Sequence, residues 1–192
     1  AVTLVAIVLT DLLIGVTSFF RDPDAFAALQ ETALPRLFAS KPAGGTVRVW
    51  ICGCSTGEEA YSVAILLQEY METLHQSYKI QIFATDIDAQ VIEQARSGVF
   101  PLSIAADINP QRLARFFTLE PDEGVYRIQK SLRDQIIFST QNLIKDPPFS
   151  RLDMICCRNV LIYLNGELQR KLILLFHYAL NPAGVLFLGT SE

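Results

Sequence analysis

The sequence is short of several residue types that carry chemistry. It has two histidines, two methionines and one tryptophan in 192 residues, and no run of Lys or Arg offsets its formal net charge of −4. An acidic chain without a basic stripe is a poor partner for a phosphate backbone, so nucleic-acid binding is not expected. The four cysteines, Cys52, Cys54, Cys156 and Cys157, are spaced C-x-C and C-C with no histidine nearby. That is not zinc-ligand spacing, so no metal is expected. The cysteines read as small apolar residues in buried strands of a reduced, cytoplasmic protein. Ala1 to Val16 is apolar with Asp11 as its single charge. It is shorter than the roughly 20 residues of a membrane span and lacks the basic start of a signal peptide. With no initiator Met, the chain reads as part of a longer protein, and residues 1–20 as the remnant of a linker or N-terminal region.

Half of the chain is hydrophobic and 19% is charged, which suits one compact core, so residues 1–192 are expected to form a single domain. Asp22-Pro23 reads as a helix start, an Asp N-cap followed by Pro at the first helical position. Phe26, Leu29, Ala33 and Leu37 then recur at helical spacing as far as about Ser40. Val47 to Cys52 is a short β-rich run, and Gly57 opens a helical pattern through about Leu74. Lys79 to Thr85 is a second strand ending in Asp86, and Asp88 to Ser97 a helix stopped by Gly98. Strand, helix, strand, helix predicts a parallel α/β sheet. Asn109-Pro110 caps a short helix to about Phe117. Gly124 to Ile128 and Gln135 to Ser139 read as antiparallel strands in an inserted β subdomain over about residues 118–141. The parallel pattern resumes with Leu152 to Cys156, a helix from Gly166 to Ala179, a tight turn at Asn181 to Gly184, and Val185 to Leu188.

In an open parallel sheet, ligands sit beyond the carboxyl ends of the strands, and there this chain is rich in small and polar residues. The turn Gly53 to Gly57 is neither the G-x-G-x-x-G of dinucleotide binders nor a phosphate-binding P-loop. Glu58 and Glu59 follow it at a helix start that would otherwise attract anions. They suit a ligand carrying positive charge, such as an ammonium or sulfonium; the alternative is that they favour the helix dipole from a solvated first turn. Asp86 is placed to accept hydrogen bonds from ribose hydroxyls, or else to cap the next helix, for which Asp88 is better placed. Arg158 and Asn159 are polar contacts at a strand end. Tyr163 serves either the site or the core, and Arg21 either the site or the solvated surface before a helix. His75 and His177 fall in helical stretches and read as structural.

Residues 16–22, 54–62, 84–88, 95–98, 142–143, 157–163 and 189–192, in this order and spacing, resemble the CheR type of chemotaxis receptor methyltransferases. The resemblance implies a Rossmann-like class I methyltransferase sheet with helices on both faces and a small antiparallel β subdomain. It implies S-adenosylmethionine as methyl donor, S-adenosylhomocysteine as product, and glutamate carboxylates on the cytoplasmic helices of chemoreceptors as acceptors. By the same resemblance Thr17, Arg21, Glu59, Asp86, Asn142, Leu143, Arg158 and Asn159 match cofactor-contacting positions, and Arg21 and Tyr163 match the residues that position the accepting glutamate. Gly15 stands where the family usually has Asn, and Ala60 where Pro is common. The wording of several segments is closest to versions fused to methylesterase and sensory domains. The Glu120 to Gly124 turn gives no support for docking a receptor-tail peptide. A carboxylate is already ionised at neutral pH, so this reaction requires no general base. The competing readings are a non-catalytic cofactor-binding signalling module, a docking scaffold, and a nicotinamide-dependent oxidoreductase; the last lacks its glycine fingerprint.

Overall fold

The computed structural model describes residues 17–190 and 192; the apolar run before Thr17 and the Gly15 departure lie outside them. The first element, α1, covers residues 23–39. It is α-helical over Pro23–Ala28 and Leu34–Ala39, with a π turn at Leu29–Ala33 between. Pro35 accounts for the widened turn: it has no N–H to donate one turn back, and its ring crowds the carbonyl of Glu31. Asp22 does not cap this helix with its side chain, contrary to expectation. It has a left-handed φ of 60° and turns its carboxylate elsewhere; only its backbone oxygen receives the first helical bonds, from Ala25 and Phe26.

Strand β1 (Thr46–Cys52) leads into helix α2 (Glu58–Thr73), strand β2 (Lys79–Asp86) and helix α3 (Ala89–Ser97). Asp88 caps α3 by accepting from the Gln90 N–H at 2.7 Å, and Gly98 ends it in the left-handed conformation. His75 falls just past α2, at φ 50° in a turn, rather than in the helix. After strand β3 (Val99–Pro101) and a 3-10 turn, helix α4 (Pro110–Phe116) is capped by Asn109, which accepts from the Arg112 N–H at 2.8 Å. Strands β4 (Phe117–Glu120) and β5 (Val125–Ile128) and the short helix α5 (Lys130–Arg133) precede strand β6 (Ile136–Thr140). Strand β7 (Leu152–Cys157), helix α6 (Gly166–Ala179) and strand β8 (Leu180–Leu188) follow. His177 lies in α6 and is exposed.

The strands form a parallel sheet in the order β6-β2-β1-β7-β8 and a separate antiparallel sheet in the order β3-β5-β4. This corrects one expectation: residues 136–140 pair parallel with β2 instead of joining the insert. The small sheet is drawn from residues 99–128, and its outer strands are β3 and β4. An apolar run of five residues does not reveal its own direction; the helix α3 and the crossover before it decide. The turn at Asn181 to Gly184 is a bulge inside β8, where the register jumps from Leu152↔Leu180 to Met154↔Val185.

Alternation along β1 divides the core. Val47, Val49 and Ile51 face α1, α2 and the small sheet, whereas Trp50 and Cys52 face α6. Trp50 is wholly buried, donates through Nε1 to Thr85 Oγ1 at 3.0 Å, and meets the rings of Phe149 and Phe176 edge-on. Burial of a side chain of this size contributes ~3 kcal/mol, and its N–H is satisfied, as a buried indole requires. On the other face, Phe19 inserts between Phe100 of β3 and Phe117 of β4, with ring centroids 4.9 and 5.4 Å away. The insert therefore anchors the segment that carries Thr17 and Arg21.

Candidate active site

The strand order reverses between β1 and β7: β2 and β6 are laid down on one side of β1 and β7 and β8 on the other, and the carboxyl ends of the five parallel strands bring their loops together there. Cys54 N donates to the Thr85 carbonyl at 2.9 Å, and Gln141 N to the Asp86 carbonyl at 2.8 Å, so the loops after β1, β2 and β6 are bonded in a row. Gly53 lies at φ 67°, and a Cβ there would stand 2.6 Å from Cγ2 of Val160 in the loop after β7. A side chain at position 53 is therefore opposed both by the backbone and by Val160. Glu192, past the end of β8, accepts from the Val160 N–H at 2.8 Å.

Asp86 at the tip of β2 accepts from Ser55 N at 2.8 Å on one oxygen and from Asp88 N at 3.1 Å on the other. Both bonds come from backbone, which fixes the carboxylate plane and leaves lone pairs for hydroxyl donors. Asp88 is the side-chain cap of α3, as expected. Asn142 accepts on its side-chain oxygen from Ile144 N at 3.0 Å and Lys145 N at 3.2 Å, which rigidifies the turn after β6. Leu143 packs against the Trp50 side of the core.

Glu58 and Glu59 begin α2. Glu58 accepts from Thr56 Oγ1 at 2.7 Å, and burial pushes its carboxyl up from the ordinary value. Glu59 is more deeply placed, with its side chain 16% exposed. Burial drives its carboxyl up from 4.5 to about 7, against the pull of Arg158 and then Arg21, with Glu192 adding to the rise. The alternative of a solvated first turn fails for this residue.

Arg158 has no exposed side-chain surface. Its Nη1 meets Glu59 Oε2 at 3.0 Å, and its Nη2 donates to the Arg21 carbonyl at 2.9 Å and to Asp22 Oδ2 at 2.7 Å. The rings of Phe26 and Phe187 lie 5.2 and 4.9 Å from its guanidinium carbon. The structure thus gives this side chain protein partners, whereas its neighbour Asn159 is half-buried at φ 58°. Arg21 is half-buried, and the segment carrying it is further held by Phe20 N donating to Ser62 Oγ at 3.0 Å. Arg112 of α4 lies 4.5 Å over the Phe20 ring and forms a paired bond with Glu69 of α2, at 2.9 and 2.7 Å. Thr17, the first described residue, is half-buried. Tyr163 ends the 3-10 turn after β7 with 39% of its surface exposed, which places it outside the core.

The sequence reading did not foresee roles for Asp22, Ser62, Gln141 or Glu192. Asp22, Ser62 and Glu192 do fall within segments 16–22, 54–62 and 189–192 that carry the family resemblance, which is the signal the sequence held for them. The cysteines are free and buried, and burial raises the thiols of Cys52, Cys54 and Cys156 well above the ordinary value; they are not poised nucleophiles. Among the described residues, no group of three His, Cys, Asp or Glu side chains is arranged to hold a metal, and no helix is long and apolar enough to cross a membrane.

The carboxylates of Asp22, Glu59, Asp86 and Glu192 outnumber the guanidiniums of Arg21 and Arg158 around these loops. Such a site repels phosphate and fits an adenosine that carries an amino acid and a sulfonium. Asp86 suits the ribose hydroxyls, Glu59 the ammonium, and the bare backbone at Gly53 close approach of the ligand.

A family model described as "CheR methyltransferase, SAM binding domain" matches residues 15–192. A 104.1 kDa protein of Rhodobacter capsulatus is 46% identical over 182 residues, which is 95% of this chain and 19% of that protein. A chemotaxis protein methyltransferase of Salmonella typhimurium is 38% identical over 185 residues, 93% of this chain and 60% of the relative. The chain thus spans less than two thirds of either relative. Among solved structures, PKMT2 from Rickettsia typhi in complex with AdoHcy matches at 16% identity and a TM-score of 0.49, over 83% of this chain and 24% of its own. With 178 of its 192 residues inside the family model, this chain belongs to the CheR methyltransferase, SAM-binding domain family.

Proposed function

We propose that this domain binds S-adenosylmethionine at the carboxyl ends of β1, β2, β6 and β7 and methylates glutamate carboxylates on the cytoplasmic helices of chemoreceptors. The observation that carries the reading is the acidic rim itself, in which Glu59 and Asp86 are both held by named partners in a chain of this family. The chemotaxis methyltransferase name of the Salmonella relative supports the choice of acceptor. The 104.1 kDa relative supports a longer parent chain carrying further domains. The cytoplasmic helices proposed as acceptors place the domain's work in the cytoplasm.

The cofactor supplies an electrophilic methyl group on a sulfonium. The protein's own residues hold, orient and dry the partners. Asp86 receives the ribose hydroxyls, with Asn142 and Leu143 beside the adenosine, and Glu59 receives the ammonium. Thr17 and the backbone at Asn159 complete the pocket. Arg21 grips the acceptor carboxylate by charge-assisted hydrogen bonds, and the Tyr163 hydroxyl orients it. The acceptor is ionised at neutral pH, so alignment and removal of water are the whole task, and no histidine is needed.

The test is calorimetric titration with S-adenosylhomocysteine, with NAD as control, followed by methyl transfer to a chemoreceptor cytoplasmic fragment. Binding of S-adenosylhomocysteine without NAD binding, and a fall in turnover larger than the fall in cofactor affinity for Arg21→Ala and Tyr163→Phe, are expected. Folded protein that binds neither compound refutes the cofactor reading. Binding without transfer leaves a signalling module and refutes the catalytic one.

A further inference from the structure

Arg158 is a cation of the site with no exposed side-chain surface, and its guanidinium is held by protein groups from several elements. Its guanidinium joins three parts of the fold: the loop after β7, from which it comes; α2, through Glu59; and the segment before α1, through the Arg21 carbonyl and Asp22. Phe26 of α1 and Phe187 of β8 lie against it and fix its plane. A planar fork held in this way serves its three acceptors from two separate nitrogens in a fixed plane, whereas an ammonium offers all its donors from a single atom.

We infer that Arg158 is a positioning residue: it acts on the ligand through Glu59, holding that carboxylate ready for a cationic group, and its other nitrogen seats the segment that presents Arg21. The inference rests on the proposed cofactor site. It couples the two halves of that site, because one side chain sets both the charge that receives the cofactor and the backbone that carries the acceptor clamp.

The charges facing Glu59 are few and of both signs. Arg158 and Arg21 lower its carboxyl. Glu192 raises it, the thiols of Cys52, Cys54 and Cys156 stand near it, Glu58 precedes it on the helix, and Asp22 shares the guanidinium. Arg158 is the largest of the lowering influences, so its loss leaves burial and the anions to protonate Glu59 at neutral pH.

The experiment follows S-adenosylhomocysteine affinity from pH 5.5 to 9, together with methyl-transfer turnover, in the whole protein and two variants. In the wild type, affinity rises through a midpoint near 7 as Glu59 ionises. Arg158→Met moves that midpoint up by about 1–3 pH units and lowers affinity at pH 7 by about tenfold or more. Arg158→Lys restores the charge and most of the midpoint, but reaches fewer of the acceptors, so turnover still falls by about tenfold. A folded Arg158→Met protein with the wild-type midpoint overturns the inference, as does an Arg158→Lys protein with wild-type turnover. If Arg158→Met fails to fold, the Lys variant decides; if both fail, the role is structural and the inference is lost. A wild type that does not bind S-adenosylhomocysteine refutes the proposed function itself, a result readable before any variant is made.

Discussion

Replacing Glu59 by Gln should make the ligand-free protein more stable at neutral pH, although it removes a hydrogen-bonded, ion-paired residue. The reasoning starts from burial. With 16% of its side chain exposed, Glu59 gains less from Arg158 than it loses in hydration, and its carboxyl rises from 4.5 to about 7. The folded state therefore binds a proton more tightly than the unfolded chain. Stability from this group is present below about pH 4.5, declines as pH rises, and is lost above about 7. At about 1.4 kcal/mol for each pH unit, the window corresponds to ~3 kcal/mol. The glutamine carries no charge to bury, and Asp22 at 2.7 Å still faces the Arg158 guanidinium. Urea unfolding of both proteins between pH 4.5 and 8.5 reads the difference directly. The curves should nearly coincide at the acid end and diverge until the variant is more stable by ~3 kcal/mol near pH 8. Curves that run parallel, or a variant less stable at pH 8, would refute the argument, because the ion pair would then outweigh desolvation. The same substitution should weaken S-adenosylhomocysteine binding, so the destabilising charge is one kept for a ligand.

Three further outcomes follow from the geometry. Asp86→Asn keeps one acceptor oxygen but sets its amide nitrogen against the other backbone donor, Ser55 N or Asp88 N, and loses the charge offered to the ribose, so calorimetry should show affinity for S-adenosylhomocysteine reduced by about 10–100-fold, with stability lowered by about 1–3 kcal/mol for the lost bond. Gly53→Ala should destabilise the protein by ~1–3 kcal/mol through its φ of 67° and its clash with Val160; adding Val160→Ala should recover part of the loss in thermal unfolding, and no recovery would discount the clash. Asp153 is buried near the amino end of β7, at the opposite end of the strand from the site, and accepts from Arg48 N at 2.9 Å, Lys41 Nζ at 2.7 Å and Asn181 Nδ2 at 2.6 Å. Asp153→Ala leaves those donors without their acceptor and should cost about 3–5 kcal/mol in urea unfolding, with cofactor affinity of the folded fraction unchanged.

Much of the local structure could be read from residue type because the interactions that set it are local. Asp88 and Asn109 cap the helices that follow them within three residues, and Gly98 stops α3 by a conformation it adopts without strain. The placement of Asp86 and Arg158 at strand ends, and of Glu59 at the helix start after the first strand, followed from where each apolar run stopped, whereas Asn142 was reached only through the family resemblance. Asp22 shows the limit. Asp before Pro has the local form of an N-cap, yet its carboxylate is drawn to a guanidinium 136 residues away. A charged bond to a buried Arg outweighs a cap of ~1 kcal/mol.

Taken alone, the sequence determined the alternating α/β order, the strand-end positions of the candidate site, and the exclusion of phosphate-binding loops, because each depends on spacing and side-chain type within a few residues. Only the tertiary structure decided that β6 completes the parallel sheet, that Glu59 is buried enough to titrate near neutrality, and that Arg158 is enclosed between Phe26 and Phe187. Strand partnership, dielectric surroundings and burial are set by chain segments far apart in sequence, and they come into being only when those segments pack.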